Sequence, residues 1–179
     1  MKFPTPLIPA TLIKRYKRFL ADVLLENGSI VTAHCPNTGS MQTCAGSNWR
    51  VLLSRHNNPK RKLAYTLELV HNGESWICVN THQANKIVHE AISFKEIPEL
   101  SSYVSLRTEV KYSNNSRIDL LLENPGEKPC FVEVKTVTLL DCAGKYLFPD
   151  AVTTRGQKHI EDLRLEVLKG NRAVLFFLI

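Results

Sequence analysis

No stretch of this 179-residue chain approaches the roughly 20 consecutive apolar residues that a membrane-spanning helix needs. The N-terminal run Met1-Lys2-Phe3-Pro4-Thr5-Pro6 has neither the apolar segment nor the cleavage site of a secretory signal. A cytoplasmic location is the expectation that follows. Cys-x-x-Cys pairs are absent too, and the five cysteines (Cys35, Cys44, Cys78, Cys130, Cys142) make an odd count at scattered spacings. That excludes a disulfide framework, a zinc ribbon and a thiol-exchange motif, and leaves reduced thiols, mostly buried. His34-Cys35 with Cys44 lacks the second ligand pair of a zinc finger. There is no internal repeat and no low-complexity tract. With 44% hydrophobic and 22% charged residues, the composition is that of a globular protein of one domain or two small ones.

Acidic residues are scarce in one half only. Residues 1 to 85 hold ten Lys and Arg against four acids, which accounts for the whole formal net charge of +6, while residues 86 to 179 hold thirteen of each sign. The excess gathers in Lys14, Arg15, Lys17 and Arg18, and again in Lys60, Arg61 and Lys62. A surface that tracks a phosphate backbone needs such an excess, because each neutralised phosphate releases counterions. A solvated basic face is the other reading of the same charges.

Strand signals fill the first half. Phe19, Ala21, Val23 and Leu25 alternate before Asn27-Gly28, a hairpin turn. Further strands are expected over residues 29–34, 49–54, 63–70 and 75–79, separated by turn residues. Five short strands of this kind suit an OB-like barrel, the common small barrel that binds oligonucleotides. A helix is expected over residues 81–92 and the domain boundary near residue 80, giving domains of 1–80 and 81–179. The second half then reads as strands over residues 104–112, 118–123 and 130–138, a turn over 113–116, a helix capped by Thr153 or Thr154, and an apolar strand over 173–179. The helix is expected to bury Ile160, Leu163 and Val167 and to stop at Gly170-Asn171. An apolar last strand is typical of a sheet interior, so a terminal segment covering it is expected to be missing. The fold class is therefore α+β: an OB-like barrel, then a small mixed α/β domain.

Asp119 opens one apolar strand, and Glu133-Val134-Lys135 lies in the next. Residues two apart in a strand share a face, so Glu133 and Lys135 project together, and a hairpin pairing brings Asp119 beside them. Two carboxylates so placed can hold Mg²⁺ through oxygen ligands and leave room for water and a substrate phosphate. The lysine would position the attacking water or stabilise charge in the transition state. The alternative is a cross-strand ion-pair cluster on an exposed face, in which such pairs contribute ~0.2–1 kcal/mol each. Glu109 in the preceding strand is a candidate third carboxylate and Gln157 on the late helix a candidate further site residue. Arg155 and Lys158, near the N-terminus of that helix, are candidates for phosphate contact, with plain helix capping as the other reading of that loop.

Three stretches carry a resemblance over essentially the whole chain. They are Pro36-Asn37-Thr38-Gly39-Ser40-Met41, then Ser116-Arg117-Ile118-Asp119-Leu120-Leu121 with Phe131-Val132-Glu133-Val134-Lys135, and finally Phe148-Pro149-Asp150-Ala151-Val152 running into Arg155-Gly156 and Lys158-His159. With them the chain resembles the sugar fermentation stimulation protein A family. The resemblance implies an OB-like barrel joined to a domain similar to the PD-(D/E)XK nucleases, non-specific DNA binding, and a bacterial regulatory role in maltose utilisation. It places Asp119, Glu133 and Lys135 at the nuclease positions, with Ile118 where that motif has proline. It also implies that members continue past the last strand.

Two functions compete. One is a DNA-binding protein of little sequence preference, since no helix-turn-helix signature supports base readout. The other is a Mg²⁺-dependent nuclease with Glu133 and Asp119 on the metal and Lys135 assisting the water. An enzyme acting on sugars directly is disfavoured, because these carboxylates come with a lysine at nuclease spacing and not as an isolated acid/base pair.

Overall fold

A computed structural model describes residues 2–113, 116–149 and 153–179. The chain divides into two compact units. One takes the sequence up to Gln83 together with the stretch beginning at Val137, and the other takes Ala84–Thr136 with the C-terminal helix and strand. The single boundary expected near residue 80 therefore misses the return of the chain to the first unit after Thr136. Thr43 explains that return locally: its hydroxyl donates to the carbonyl of Thr138 at 2.9 Å and accepts from the amide of Leu140 at 3.1 Å.

The first unit is built from β1 (Ile8–Tyr16), β2 (Leu20–Leu25), β3 (Ile30–His34), β4 (Arg50–Arg55), β5 (Tyr65–His71) and β6 (Trp76–Cys78). Their order is β3-β2-β1-β4-β5-β6, and a further β3–β5 pairing closes β1 to β5 into a barrel. Closure removes the exposed strand edges of an open sheet. Alternation decides which side chains go inside: Ala10, Leu12, Ala21, Val23, Ala33, Val51, Leu53, Leu67 and Val70 are all buried. The expected number of barrel strands is right, but the set is displaced by one. β1 carries Ala10 and Leu12 inward and was hidden behind the charges of Lys14, Arg15, Lys17 and Arg18, whereas the segment read as the fifth strand is the three-residue β6, attached outside the closed ring. Segment 137–149 adds a small hairpin, β10 (Leu139–Leu140) with β11 (Tyr146–Leu147).

In the second unit a four-stranded sheet runs in the order β12-β9-β8-β7. The strands are β7 (Ser105–Lys111), β8 (Arg117–Glu123), β9 (Cys130–Thr136) and β12 (Arg172–Leu178). The first three pair antiparallel, and β12 lies parallel to β9 after the crossover helix α2 (Thr154–Leu168). α1 (Thr81–Ser93) matches the expected helix, and Ala84, Val88 and Ile92 at helical spacing join Leu120, Leu122, Val132 and Val134 in the core. On the opposite side Ile118, Leu121, Phe131 and Leu163 form a second cluster. The part of the expected 113–116 turn at residues 114 and 115 lies outside the described residues, as does 150–152 of the Phe148–Val152 stretch. Among the described residues no helix is long and apolar enough to cross a membrane.

One expectation for the C-terminal elements needs correcting. α2 buries Asp162, Leu163 and Glu166, while Ile160 and Val167 are each 52% exposed. Asp162 and Glu166 are buried because their carboxylates find partners: Asp162 accepts from the Ser116 hydroxyl, and Glu166 accepts from Lys169 at 2.6 Å and Asn171 at 2.7 Å at the end of the helix itself. The last strand pairs with β9 on one side among the described residues.

Candidate functional site

The β8–β9 ladder sets Leu122 against Cys130, Leu121 against Phe131 and Leu120 against Val132. One residue further on are Asp119 and Glu133. Here the ladder gives way to side chains: Asp119 Oδ2 accepts the amide of Val134 at 2.8 Å, and its Oδ1 accepts from Asn85 Nδ2 of α1 at 2.8 Å. Glu133 is 2% exposed. Its Oε1 accepts from Lys135 Nζ at 2.6 Å and from His159 Nδ1 of α2. Its Oε2 is buried and has no partner among the described residues. This geometry departs from the exposed ion-pair cluster that the sequence also allowed, because a carboxylate at this depth needs compensation.

Electrostatics separate the two acids. Burial, and next the charge of Glu133, push the Asp119 carboxyl above its usual value, against the opposing pull of the Val134 amide and Asn85. Burial also raises Glu133, but the hydrogen bonds and charges of His159 and Lys135 outweigh it and hold that group below the usual carboxylate range. Arg155 Nε donates to His159 Nε2 at 3.4 Å, which leaves Nδ1 as the nitrogen that carries its proton toward Glu133.

Asp119 and His159 open onto a cleft of about 690 Å³ that is also lined by Glu109, Lys111, Ser116, Arg117, Thr154, Arg155 and Lys158. Four of its walls are cations. Glu109 lies opposite Asp119, between the pairs Thr108–Leu120 and Val110–Ile118, and takes a left-handed φ of 53°. Arg117 Nη1 donates to the Glu109 carbonyl at 2.9 Å and steadies that strained residue. Thr153 caps α2, its hydroxyl accepting the Gly156 amide at 2.9 Å, and so fixes the turn that carries Arg155, Lys158 and His159.

The structure thus brings together Asp119, Glu133 and Lys135, and lines the adjacent cleft with Asp119, Glu109, Arg155 and Lys158. Gln157 is not among them. It is exposed, and it stands two residues before His159, about 200° around the helix; the α2 side chain that reaches Glu133 is His159. His159, Asn85, Lys111 and Arg117 were not singled out from the sequence. His159 had one signal, its place in the Lys158-His159 pair that carries the family resemblance; Asn85 had none, being brought to Asp119 by folding alone.

The basic residues of the first unit behave unequally. Lys14 is exposed and lies 3.7 Å from Asp22. Lys17 and Arg18 are exposed at a tight turn in which both take left-handed φ values, 48° and 64°. Arg15 is engaged otherwise: its Nη1 and Nη2 donate to the carbonyls of Ser40 (3.1 Å), Asn37 (2.9 Å) and Gly39 (2.8 Å), pinning the loop that follows β3. Lys60 and Lys62 are exposed, while Arg61 Nη2 donates to Thr66 Oγ1 at 3.0 Å.

Comparison with known proteins agrees with this architecture. The family described as "SfsA N-terminal OB domain" matches residues 13–79, and the "Sugar fermentation stimulation protein RE domain" matches residues 82–179. A sugar fermentation stimulation protein homolog of Geotalea uraniireducens is 55% identical over 100% of this chain and 77% of its own length. One from Acidithiobacillus ferrooxidans is 52% identical over 97% of this chain and 75% of its own. The solved structure of Pyrococcus furiosus SfsA in complex with Ca²⁺ superposes with a TM-score of 0.85 at 25% identity, covering 99% of this chain and 74% of that one. An OB-like barrel followed by an α/β domain, with relatives over nearly its full length, places this chain in the sugar fermentation stimulation protein family.

Proposed function

We propose that this protein binds DNA with little sequence preference and hydrolyses its phosphodiester bonds at Asp119, Glu133 and Lys135 with a divalent cation. The observation that carries the reading is Glu133: a buried carboxylate with one oxygen unpartnered among the described residues, one residue pair past the end of the β8–β9 ladder together with Asp119, with Asp119 facing a cleft whose other walls include Lys111, Arg117, Arg155 and Lys158. Two carboxylates with oxygen lone pairs to spare fit Mg²⁺ or Ca²⁺, which complete their shells with water and phosphate oxygens. The complex of the Pyrococcus relative with Ca²⁺ supports the choice of a divalent cation. When bound, such an ion supplies a Lewis acid and lowers the pKa of a coordinated water.

The remaining roles belong to the chain itself. His159 and Lys135 hold Glu133 ionised, and Asn85 and the Val134 amide fix the orientation of Asp119. Lys135 Nζ, 2.6 Å from Glu133 Oε1, orients a water or carries charge on the scissile phosphate. The cleft cations neutralise the flanking phosphates. A cytoplasmic location and a part in regulating maltose or other sugar catabolism complete the proposal and rest on the family likeness.

The test incubates single-stranded and duplex DNA with the protein and Mg²⁺ or chelator. Metal-dependent fragments that Glu133→Gln abolishes, with DNA affinity retained, are the expected result. Intact DNA in every lane, with binding measured in parallel, would remove hydrolysis and leave DNA binding alone.

A further inference from the structure

We infer that the outward face of the barrel sheet is a track for a single nucleic-acid strand, with Trp76 and Tyr16 as stacking rings and Arg50 and Lys14 as phosphate contacts. This rests on the reading of the chain as a DNA-binding protein and moves the contact surface from the basic clusters to the sheet itself.

Strand pairing sets out the face. Thr11 pairs with Leu24 on one side and Arg50 on the other, Val51–Val70 puts Arg50 beside His71, and His71 pairs with Trp76. Their neighbours in sequence, Ala10, Val23, Val51 and Val70, are buried inside the barrel, so this row faces outward. A β-bulge after Leu12 brings Lys14, paired with Asp22, and Tyr16, paired with Leu20, onto the same face.

Both proposed stacking rings carry a cation. The Arg50 guanidinium carbon lies 5.6 Å from the centre of the Trp76 ring, and Lys14 Nζ lies 5.4 Å from that of Tyr16. Trp76 is 39% exposed, and His71 meets it in a T-shaped contact at 4.9 Å, which holds the indole in place. Acid is nearly absent. The six strands contain two carboxylates, Glu68 and Asp22. Glu68 is buried against Ser54, Asn80 and Gln83, and Asp22 accepts from Tyr16 at 3.0 Å and Thr32 at 2.8 Å beside Lys14.

A face of rings paired with cations and free of unpaired acid fits unstacked bases on a phosphodiester chain. A duplex keeps its bases stacked inside and offers such rings no surface, so the committed occupant is single-stranded.

The experiment measures binding of labelled oligothymidylate and of a duplex of equal length, in chelator so that nothing is cleaved. The oligothymidylate should bind more tightly. Trp76→Ala should weaken it about tenfold or more with an unchanged salt slope, and Arg50→Ala should lower the slope. In the Trp49→Phe chain, which leaves Trp76 intact and guards against a misfolded Trp76 variant, indole emission should be quenched as oligothymidylate saturates the protein. Equal affinity of Trp76→Ala and parent, or unquenched Trp76 emission at saturation, overturns the stacking track while leaving DNA binding in place. No binding of either DNA overturns the nucleic-acid reading itself and this inference with it.

Discussion

Arg15 sits among four cations within five residues and looks from its surroundings like a phosphate contact. Its guanidinium instead organises three carbonyls of the loop after β3, and Nε is buried without a partner among the described residues. Removing it strands those carbonyls and loosens the loop that buries Met41 and Cys44. Arg15→Ala should therefore cost about 2 kcal/mol in urea unfolding and leave the salt slope of DNA binding unchanged, whereas Lys14→Ala should lower the slope with little effect on the unfolding midpoint. Asp119, Glu133 and Lys135 were legible because strand alternation is local: two apart means one face. Asn85 and Arg117 were not, because neither spacing nor residue type reports which tertiary neighbour a polar side chain meets.

At the scale of elements, α2 repays attention to both ends. Thr153 caps its first turn. At its end the Gly170 amide donates to Val167 O at 2.8 Å and the Asn171 amide to Glu166 O at 3.0 Å, with Gly170 at a φ of 81°. That is a Schellman closure, which requires a left-handed residue. Thr153→Ala and Gly170→Ala should each destabilise by about 1 kcal/mol in chemical denaturation. The proposed hydrolysis should suffer more from Thr153→Ala, whose turn carries Arg155, Lys158 and His159, than from the equally destabilising change at the far end. The helix and its stops were readable from Thr153 and from Gly170-Asn171. Its buried face was not, because apolarity pointed to Ile160 and Val167 while hydrogen-bond partners favoured burial of Asp162, at Ser116, and of Glu166, at Lys169 and Asn171 beyond the helix end.

For the whole molecule, several groups that folding makes harder to ionise lie on the alkaline side. Burial raises the thiols of Cys35, Cys78 and Cys130 above their ordinary value of 9.0. Burial, then the charges of Asp162, Glu133, Glu166 and Asp119, raise the Tyr112 hydroxyl well above its ordinary value of 10.0. A group with a raised pKa in the native state gives stability that is complete below its unfolded pKa and is lost as pH climbs toward the folded one. From neutral pH, the unfolding free energy in urea should therefore hold steady up to about pH 9 and fall above it, by at most about 1.4 kcal/mol per pH unit for each group ionised only in the unfolded chain. A midpoint that rises through that range would contradict this burial.

What the sequence determined by itself was whatever is written in short-range periodicity and chemistry: the barrel, the two helices, the succession of strands along the second unit, and the triplet Asp119, Glu133 and Lys135. Charge obscured β1, because the cations that close the strand mask the alternation of Ala10 and Leu12 within it. Only the tertiary structure decided that the chain returns to the first unit after Thr136, that Arg15 serves a loop, and that His159 reaches Glu133. Each of these joins residues at least 22 positions apart, and such a choice is made by which buried polar groups find partners across the fold, a competition that no local pattern records.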